Sequence, residues 1–512
     1  MTSLVELLRQ SASDFSQYPA VIGGNVTLSH ERLDHLSDSV ANGLIARGIE
    51  PGNRIALYSP NCPEFAVLYV AILKAGATVV PINLLIGHRE VNYVLNDSGA
   101  SGLLFHHQLA DRVGSLQEEV PDLKFVGRIG AGDDPAETLA DLLTESAVPP
   151  VSLPDPDRAL AAILYTSGTT GFPKGAMLSH ANLVANTRSV HAAMKWRSGK
   201  DRVLVVLPMF HAFAATVGLL TPLTNGCALI AVPRFEPDAV VEAIDRHQAT
   251  IFLGVPSMYA VLLRLRDDKL ALLQSLRFGI VGGAAMPVAT LRQFEERTGV
   301  PLYEGDGPTE CSPVTCVNPI GGLVKPGTVG LPVPQVEMKI VDDEGQQLPD
   351  GEVGEIAVRG PNVMKGYWKQ PEATAEVFRG GWFLTGDLGT RDEDGYFSIV
   401  DRKKDLIIVN GMNVYPRMIE ELLHAYPGIR EAAVIGEQSE LHGEVPVAYL
   451  AVDEHLFTGD KALREHCRQL LGRHQVPKRF EILEELPKNA AGKIMKRELR
   501  KHGEIERGII DL

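Results

Sequence analysis

Across the first 400 positions, short apolar runs alternate with longer amphipathic stretches. RIALYS (54–59) leads into PEFAVLYVAILKAG (63–76) and then TVVPI (78–82). Later come VLVVLP (203–208), ALIAVP (228–233), TIFLGVP (250–256) and FGIVGGA (278–284). Short apolar runs closed by Pro or Gly read as buried strands, and the stretches between them carry helical spacing. This alternation predicts an α/β fold with layered parallel sheets. From about Gly327 the texture shifts to short strands around Asp-Gly and Gly-Gly turns (VDDEGQQLPDGEVGEIAVRG, DEDGYFSIV), which predicts a β-rich subdomain over 327–400. After Asp401 a third pattern begins. Pro416 opens a helix with Ile419, Leu422, Leu423 and Tyr426 on one face. The strand-like EAAVIGE and VPVAYLAV follow, then helical KALREHCRQLLG and strand-like RFEILEEL. The expected organisation is a large N-terminal domain over 1–400, a polar hinge at 401–404 and a small, mobile α+β domain over 405–512. The Pro- and acid-rich stretch near 143–157 reads as a surface connection.

Between Val203 and Pro233 there is no Lys, Arg, Asp or Glu. A membrane-spanning helix needs about 20 apolar residues in one run. Pro208, Gly218, Pro222, Gly226 and Pro233 cut this stretch into strand, helix (AFAATVGLLTPL) and strand, so it reads as deep protein core. The start of the chain carries an early acid and no apolar run behind basic residues, so no signal peptide is expected.

The chain has 512 residues, and 45% of them are hydrophobic against 22% charged, the balance of a globular protein. Its 49 basic and 64 acidic residues give a net charge of −15, which offers no bulk attraction to nucleic acid. The five cysteines form no CxxC pair, which argues against a disulfide framework or a structural zinc and for a cytoplasmic setting. The oligomeric state stays open.

The densest chemistry lies at 165–175, YTSGTTGFPKG. It follows the strand-like ALAAILY and precedes a helix that Ser179 is placed to cap. Gly168, Gly171 and Gly175 let the backbone approach a ligand. Thr166, Ser167, Thr169 and Thr170 add hydroxyls, and Lys174 adds a positive charge. Amides, hydroxyls and a cation without a competing acid suit a polyphosphate. The spacing is not that of a Walker loop.

This stretch resembles the phosphate loop of the adenylate-forming superfamily, which includes acyl-CoA synthetases, luciferases and peptide-synthetase adenylation domains. The resemblance continues in order through GDGPTE (305–310), GWFLTGD (381–387), DRKKDLIIVNGMNVYP (401–416) and LPKNAAGKIMKREL (486–499). It spans nearly the whole chain and is most like medium- or long-chain fatty acyl-CoA ligases. It implies two half-reactions. A carboxylate attacks the α-phosphate of Mg-ATP to give acyl-AMP and pyrophosphate, and coenzyme A then displaces AMP.

The resemblance also implies roles. Lys493 is the adenylation lysine, with Thr166, Glu310 and His211 as further catalytic residues and Glu310 as the magnesium ligand. The nucleotide is expected against Thr166, Ser167, Gly168, Thr169, Thr170, Gly171, Lys174, Gly283, Ala284, Glu304, Gly305, Asp306, Gly307 and Thr309. Asp387 would bind the ribose hydroxyls with Arg402 beside it. Lys404 is the hinge residue about which the C-terminal domain turns, first presenting Lys493 and then Gly411, next to coenzyme A. The acyl pocket maps to His211, Phe213, Gly254, Val255, Gly282 and Gly283.

Two departures are visible. Asp306 stands where the family commonly has an aromatic residue that stacks on adenine, and Pro308 replaces a more usual Leu-type residue. Luciferases carry a lysine where this chain has Ile408, which argues against light emission. Amino-acid activation is disfavoured, because no acid in 203–233 could pair with a buried ammonium. The expected substrate is a medium- to long-chain fatty acid, with an aryl acid next. The alternative is a ligase that passes the acyl group to a carrier protein or an amine.

Overall fold

The computed structural model describes residues 2–130, 138–144, 155–166, 173–439, 441–488 and 494–506. Most of the 143–157 connection therefore lies outside the described residues, as do Ser167, Gly168, Thr169, Thr170, Gly171 and Lys493. The chain divides into two compact units. One comprises Met1–Met286, Arg292–Met338 and Val358–Phe383, and the other Pro287–Leu291, Lys339–Ala357 and Leu384–Leu512.

The α/β alternation is realised in the first unit as two sheets. In the six-stranded sheet the order is Phe125–Ile129, Ala100–His106, Arg54–Tyr58, Thr78–Pro81, Leu160–Thr166 and Lys174–Ser179. Its first five strands are parallel and the last is antiparallel. The nine-stranded sheet has a parallel centre in the order Leu302–Asp306, Phe278–Val281, Ile251–Gly254, Arg202–Val205, Ala228–Ala231 and Pro19–Gly23. Short antiparallel strands close both of its ends.

Three local outcomes differ from the sequence pattern. The helix Pro63–Lys74 is not amphipathic, because every residue from Glu64 to Lys74 is buried. Burial of its one lysine is possible because Lys74 Nζ reaches the Asp34 carboxylate at 2.6 Å and that of Asp38 at 2.9 Å. Next, the phosphate-loop segment does not run directly into its helix. The strand Lys174–Ser179 comes between them and pairs antiparallel with Leu160–Thr166. Ser179 does cap the helix His180–Ala193, in a capping box with Asn182. Finally, AFAATVGLLTPL is helical, but Ala214–Leu220 is wound as a π-helix. π-Turns of this kind are rare and occur mostly at functional sites.

In the second unit, Asp387–Arg391 pairs antiparallel with Phe397–Arg402 as part of the expected hairpin-rich region. A further sheet follows, in the order Met412–Val414, Ile407–Val409, Gly443–Val452 and Ile429–Ser439, with Phe480–Ile482 pairing to Gly443–Val452. Ile419 and Leu423 of the helix Pro416–His424 pack with Leu463 and Cys467 of the helix Asp460–Leu470 on Ala432, Val434 and Leu450. The alternate residues Ala433, Ile435, Val447 and Tyr449 pack with Leu486 and Leu499 on the opposite face. All five cysteines are free thiols. Among the described residues, no helix is long and apolar enough to cross a membrane.

Candidate active site

The strand order of the nine-stranded sheet places four loops side by side. Leu302–Asp306, Phe278–Val281, Ile251–Gly254 and Arg202–Val205 are parallel neighbours, so their C-terminal ends lie along one edge. Those ends lead into Gly307–Glu310, Gly282–Ala284, Val255 and Val206–Phe213. Ligands of open α/β sheets bind at such carboxyl ends.

Of the sequence-predicted acyl-pocket residues, Phe213 meets Gly282 and Val255 meets Gly283 there. A methyl group built on Gly282 would lie 3.1 Å from Phe213 Cε1, so the ring packs directly on that glycine. Gly283 has φ +79, a conformation that favours glycine, and lies near Val255. Gly283 and Ala284 are exposed. His211 is also exposed instead of sitting in the core, and its carbonyl accepts the Ala215 N–H at 2.9 Å as the π-helix begins. Gly254 has a different surrounding, since its missing side chain leaves room for the buried ring of Tyr259. The Tyr259 hydroxyl donates to the carbonyls of Phe252 at 3.2 Å and Ile280 at 3.0 Å.

Next along the edge, Glu304 is buried and its Oε1 accepts the Met286 N–H at 3.0 Å. Gly305 and Asp306 pair with Val317 and Cys316. The Asp306 carbonyl accepts both the N–H and the hydroxyl of Thr315, each at 3.0 Å. Gly307 is fixed by space, because a Cβ there would lie 2.0 Å from the Pro313 carbonyl oxygen. Thr309–Cys311 then forms a 3₁₀ turn that carries Glu310.

Three asparagines clamp this turn and the segment facing it. Asn186 exchanges bonds with Val314, donating at 2.8 Å and accepting at 3.2 Å. Asn362 donates to the Cys311 carbonyl at 2.9 Å. Asn182 donates to the carbonyls of Pro361 and Val363 at 2.8 and 2.9 Å.

The described ends of the phosphate-loop segment meet Glu310 through a residue that the sequence motifs did not single out. Thr166 and Lys174 are partners across the antiparallel pair, and the Thr166 hydroxyl donates to the Lys174 carbonyl at 3.3 Å. The segment 365–368 lies against the strand Lys174–Ser179, with Ala176 bridged to Tyr367 and the Trp368 N–H donating to Gly175 O at 2.7 Å. Tyr367 is thereby held beside both groups. Its hydroxyl donates to Glu310 Oε1 at 2.8 Å, and Lys174 Nζ stands 5.2 Å from its ring centroid. Burial, then the Glu310 charge, raises the Tyr367 phenol above its ordinary range, so it stays a donor.

In the second unit, the pairing of Asp387–Arg391 with Phe397–Arg402 sets Asp387 opposite Arg402. Arg402 Nε reaches Asp387 Oδ1 at 2.6 Å, and the Asp387 carboxylate is nearly buried. The Thr385 hydroxyl accepts the Asp387 N–H at 3.1 Å. Lys404 has its ammonium destabilised, first by burial and then by Arg402. Asn410 and Gly411 both have positive φ at the tip of the hairpin Ile407–Val414, and Gly411 is exposed, with nothing within 4 Å of where its Cβ would lie. The basic residues near Lys493 are committed to acids. Lys488 pairs with Glu431, Lys496 with Glu420 at 2.8 Å and Arg500 with Asp405 at 2.7 Å.

No group of three or more His, Cys, Asp or Glu is arranged to hold a metal among the described residues. Magnesium bound with a nucleotide needs only one or two protein oxygens, and the Glu310 carboxylate is a hard donor of that sparse kind.

Comparison with known proteins agrees with this architecture. Residues 8–368 match the family model for AMP-binding enzymes, and residues 418–493 match that for the AMP-binding enzyme C-terminal domain. The chain is 36% identical to the long-chain-fatty-acid–CoA ligase of Bacillus subtilis (strain 168), covering 97% of this chain and 94% of that one. It is 38% identical to a feruloyl-CoA synthase of Amycolatopsis sp, covering 94% and 95%. Its fold superposes on ATP-bound MatB from Rhodopseudomonas palustris with a TM-score of 0.91 at 32% identity, covering 98% and 99%. With motif order, sheet topology and both family models in agreement, the chain belongs to the AMP-binding enzyme family and is an acid–thiol ligase.

Proposed function

We propose that this enzyme activates a medium- to long-chain fatty acid with ATP as an acyl adenylate, releases pyrophosphate, and transfers the acyl group to the thiol of coenzyme A with release of AMP. One observation carries this reading. The apolar, glycine-floored surface of Phe213, Gly282, Gly283 and Val255 lies on the same sheet edge as the Glu304–Glu310 segment. An apolar acid and a nucleotide can therefore bind at adjacent strand ends. Each methylene buried in such a pocket adds about 0.8 kcal/mol, which gives chain-length preference. An aryl acid is the second reading, supported by the likeness to feruloyl-CoA synthase and by the flat face of Phe213.

A carboxylate becomes a competent electrophile once one oxygen is joined to a phosphate. The reaction then needs alignment and charge neutralisation more than covalent help from the protein. Glu310 would hold magnesium, which supplies neutralisation of the phosphate charge, and Thr166 would lie against the nucleotide. Tyr367 holds the Glu310 carboxylate, and Lys174 adds a cation over the Tyr367 ring. Asp387, oriented by Arg402, would accept the ribose hydroxyls. Lys493 would place its ammonium between carboxylate and α-phosphate, and the hinge at Lys404 would then exchange it for the Gly411 hairpin.

ATP–pyrophosphate exchange with a panel of fatty, aryl and amino acids tests the first step. Addition of coenzyme A, carrier protein or amine to separate samples tests the second. Exchange that rises with acyl chain length, and thioester formed only with coenzyme A, are expected. Exchange with amino acids alone, or product only with an amine, would overturn the proposal.

A further inference from the structure

Asn61 is a buried polar side chain, 4% exposed, that belongs to none of the chemical motifs discussed above. It follows the strand Arg54–Tyr58 of the six-stranded sheet but bonds to the nine-stranded one. Its Nδ2, whose two hydrogens are shared among three carbonyls, lies 3.1 Å from Val205 O, 2.9 Å from Leu207 O and 3.1 Å from Val232 O. Its Oδ1 accepts the Met209 N–H at 2.8 Å.

These partners lie at or just beyond the ends of the strands Arg202–Val205 and Ala228–Ala231: Val205 O still accepts the Val232 N–H at 3.0 Å, and past it regular pairing stops while burial does not. Leu207 is 3% exposed and Met209 0%. Buried backbone groups at such a place must find a partner or destabilise the fold. One carboxamide, with donors and an acceptor on the same rigid plane, meets both needs. The clamped stretch 205–209 runs directly into Phe210, His211 and Phe213.

We infer that Asn61 is a positioning residue for the acid subsite: it sets where the Phe210–Phe213 wall stands and thereby which acids fit. The inference rests on the proposed assignment of that wall to the acyl group. Asn61 touches no reacting atom, and its influence passes through the backbone it holds. Asn186 offers the matched comparison. It is equally buried and likewise exchanges bonds with backbone, but at Val314, beside the turn that carries Glu310.

The test measures acid-dependent ATP–pyrophosphate exchange for the full chain and for Asn61→Ser, Asn61→Ala and Asn186→Ala. The wild-type protein must first support exchange with some acid; if it does not, the functional proposal itself fails. Given exchange, the Asn61 variants are expected to raise KM for the acid about tenfold and broaden the chain-length profile, while KM for MgATP changes less than twofold. Asn186→Ala is expected to show the opposite split. Hydrogen–deuterium exchange across 205–213 in Asn61→Ser should rise, and this reads out the clamp even if Asn61→Ala fails to fold. Wild-type exchange with an unchanged acid KM and unchanged protection in Asn61→Ser would overturn the inference. So would equal changes in both Michaelis constants for the Asn61 and Asn186 variants, since a general loss of stability moves both together.

Discussion

Tyr367→Phe removes one oxygen atom and leaves the ring that faces Lys174 in place. The lost bond is 2.8 Å long, joins a phenol to a carboxylate and lies in a site where Tyr367 is only 8% exposed. A hydrogen bond to a charged group contributes about 1.5–3 kcal/mol, so kcat/KM for MgATP should fall about ten- to a hundredfold. The backbone of the turn should hold, because the Met364 N–H still donates to Glu310 O at 2.7 Å and Asn362 still holds Cys311 O. The loss should therefore appear in function and not in folding. Initial rates of acyl-adenylate formation are measured across magnesium concentrations at fixed ATP, with thermal unfolding in parallel. The variant should need more magnesium for half-maximal rate, with Tm nearly unchanged. A rate and magnesium dependence within twofold of wild type would refute the reasoning that Tyr367 fixes the metal-binding carboxylate.

Replacing Lys493 by alanine should slow adenylation about a hundred- to a thousandfold, the cost of one preorganised donor, read by pyrophosphate exchange. Thioester formation from supplied acyl-AMP should change far less, and equal loss in both steps would count against the assignment. The helix-start residue His180 is 1% exposed, and neither ring nitrogen has a hydrogen-bond partner among the described residues. Burial lowers its pKa from 6.5 to about 4, so between those values the unfolded chain binds the extra proton and stability falls as pH falls. The full window amounts to about 3 kcal/mol. His180→Leu should flatten the pH dependence of the urea midpoint between pH 6.5 and 4, and an unchanged slope would sink the argument.

The candidate site is legible in the sequence where its chemistry is contiguous. Thr166 to Lys174, Gly305 to Glu310 and Thr385 to Asp387 each announce themselves by glycine, hydroxyl and charge within a few positions. Tyr367 and Asn61 carry no such signature. Tyr367 matters because of a residue 57 positions away, and Asn61 because of carbonyls 144 to 171 positions away. A lone Tyr in GYW or a lone Asn before CPEF looks the same whether it is clamped or solvated. The π-wound stretch after His211 was equally hidden, since apolar residues without polar alternation give no helical phase to read.

Local sequence therefore determined the succession of strands and helices, the apolar stretch without charges and the order of the chemical segments, because these depend on neighbours along the chain. Tertiary structure alone decided which strand ends stand side by side, that Lys74 could be buried beside two acids, and which asparagines hold the site loops. Those outcomes depend on backbone groups that lose their water on folding and must be matched by whatever the other elements bring near.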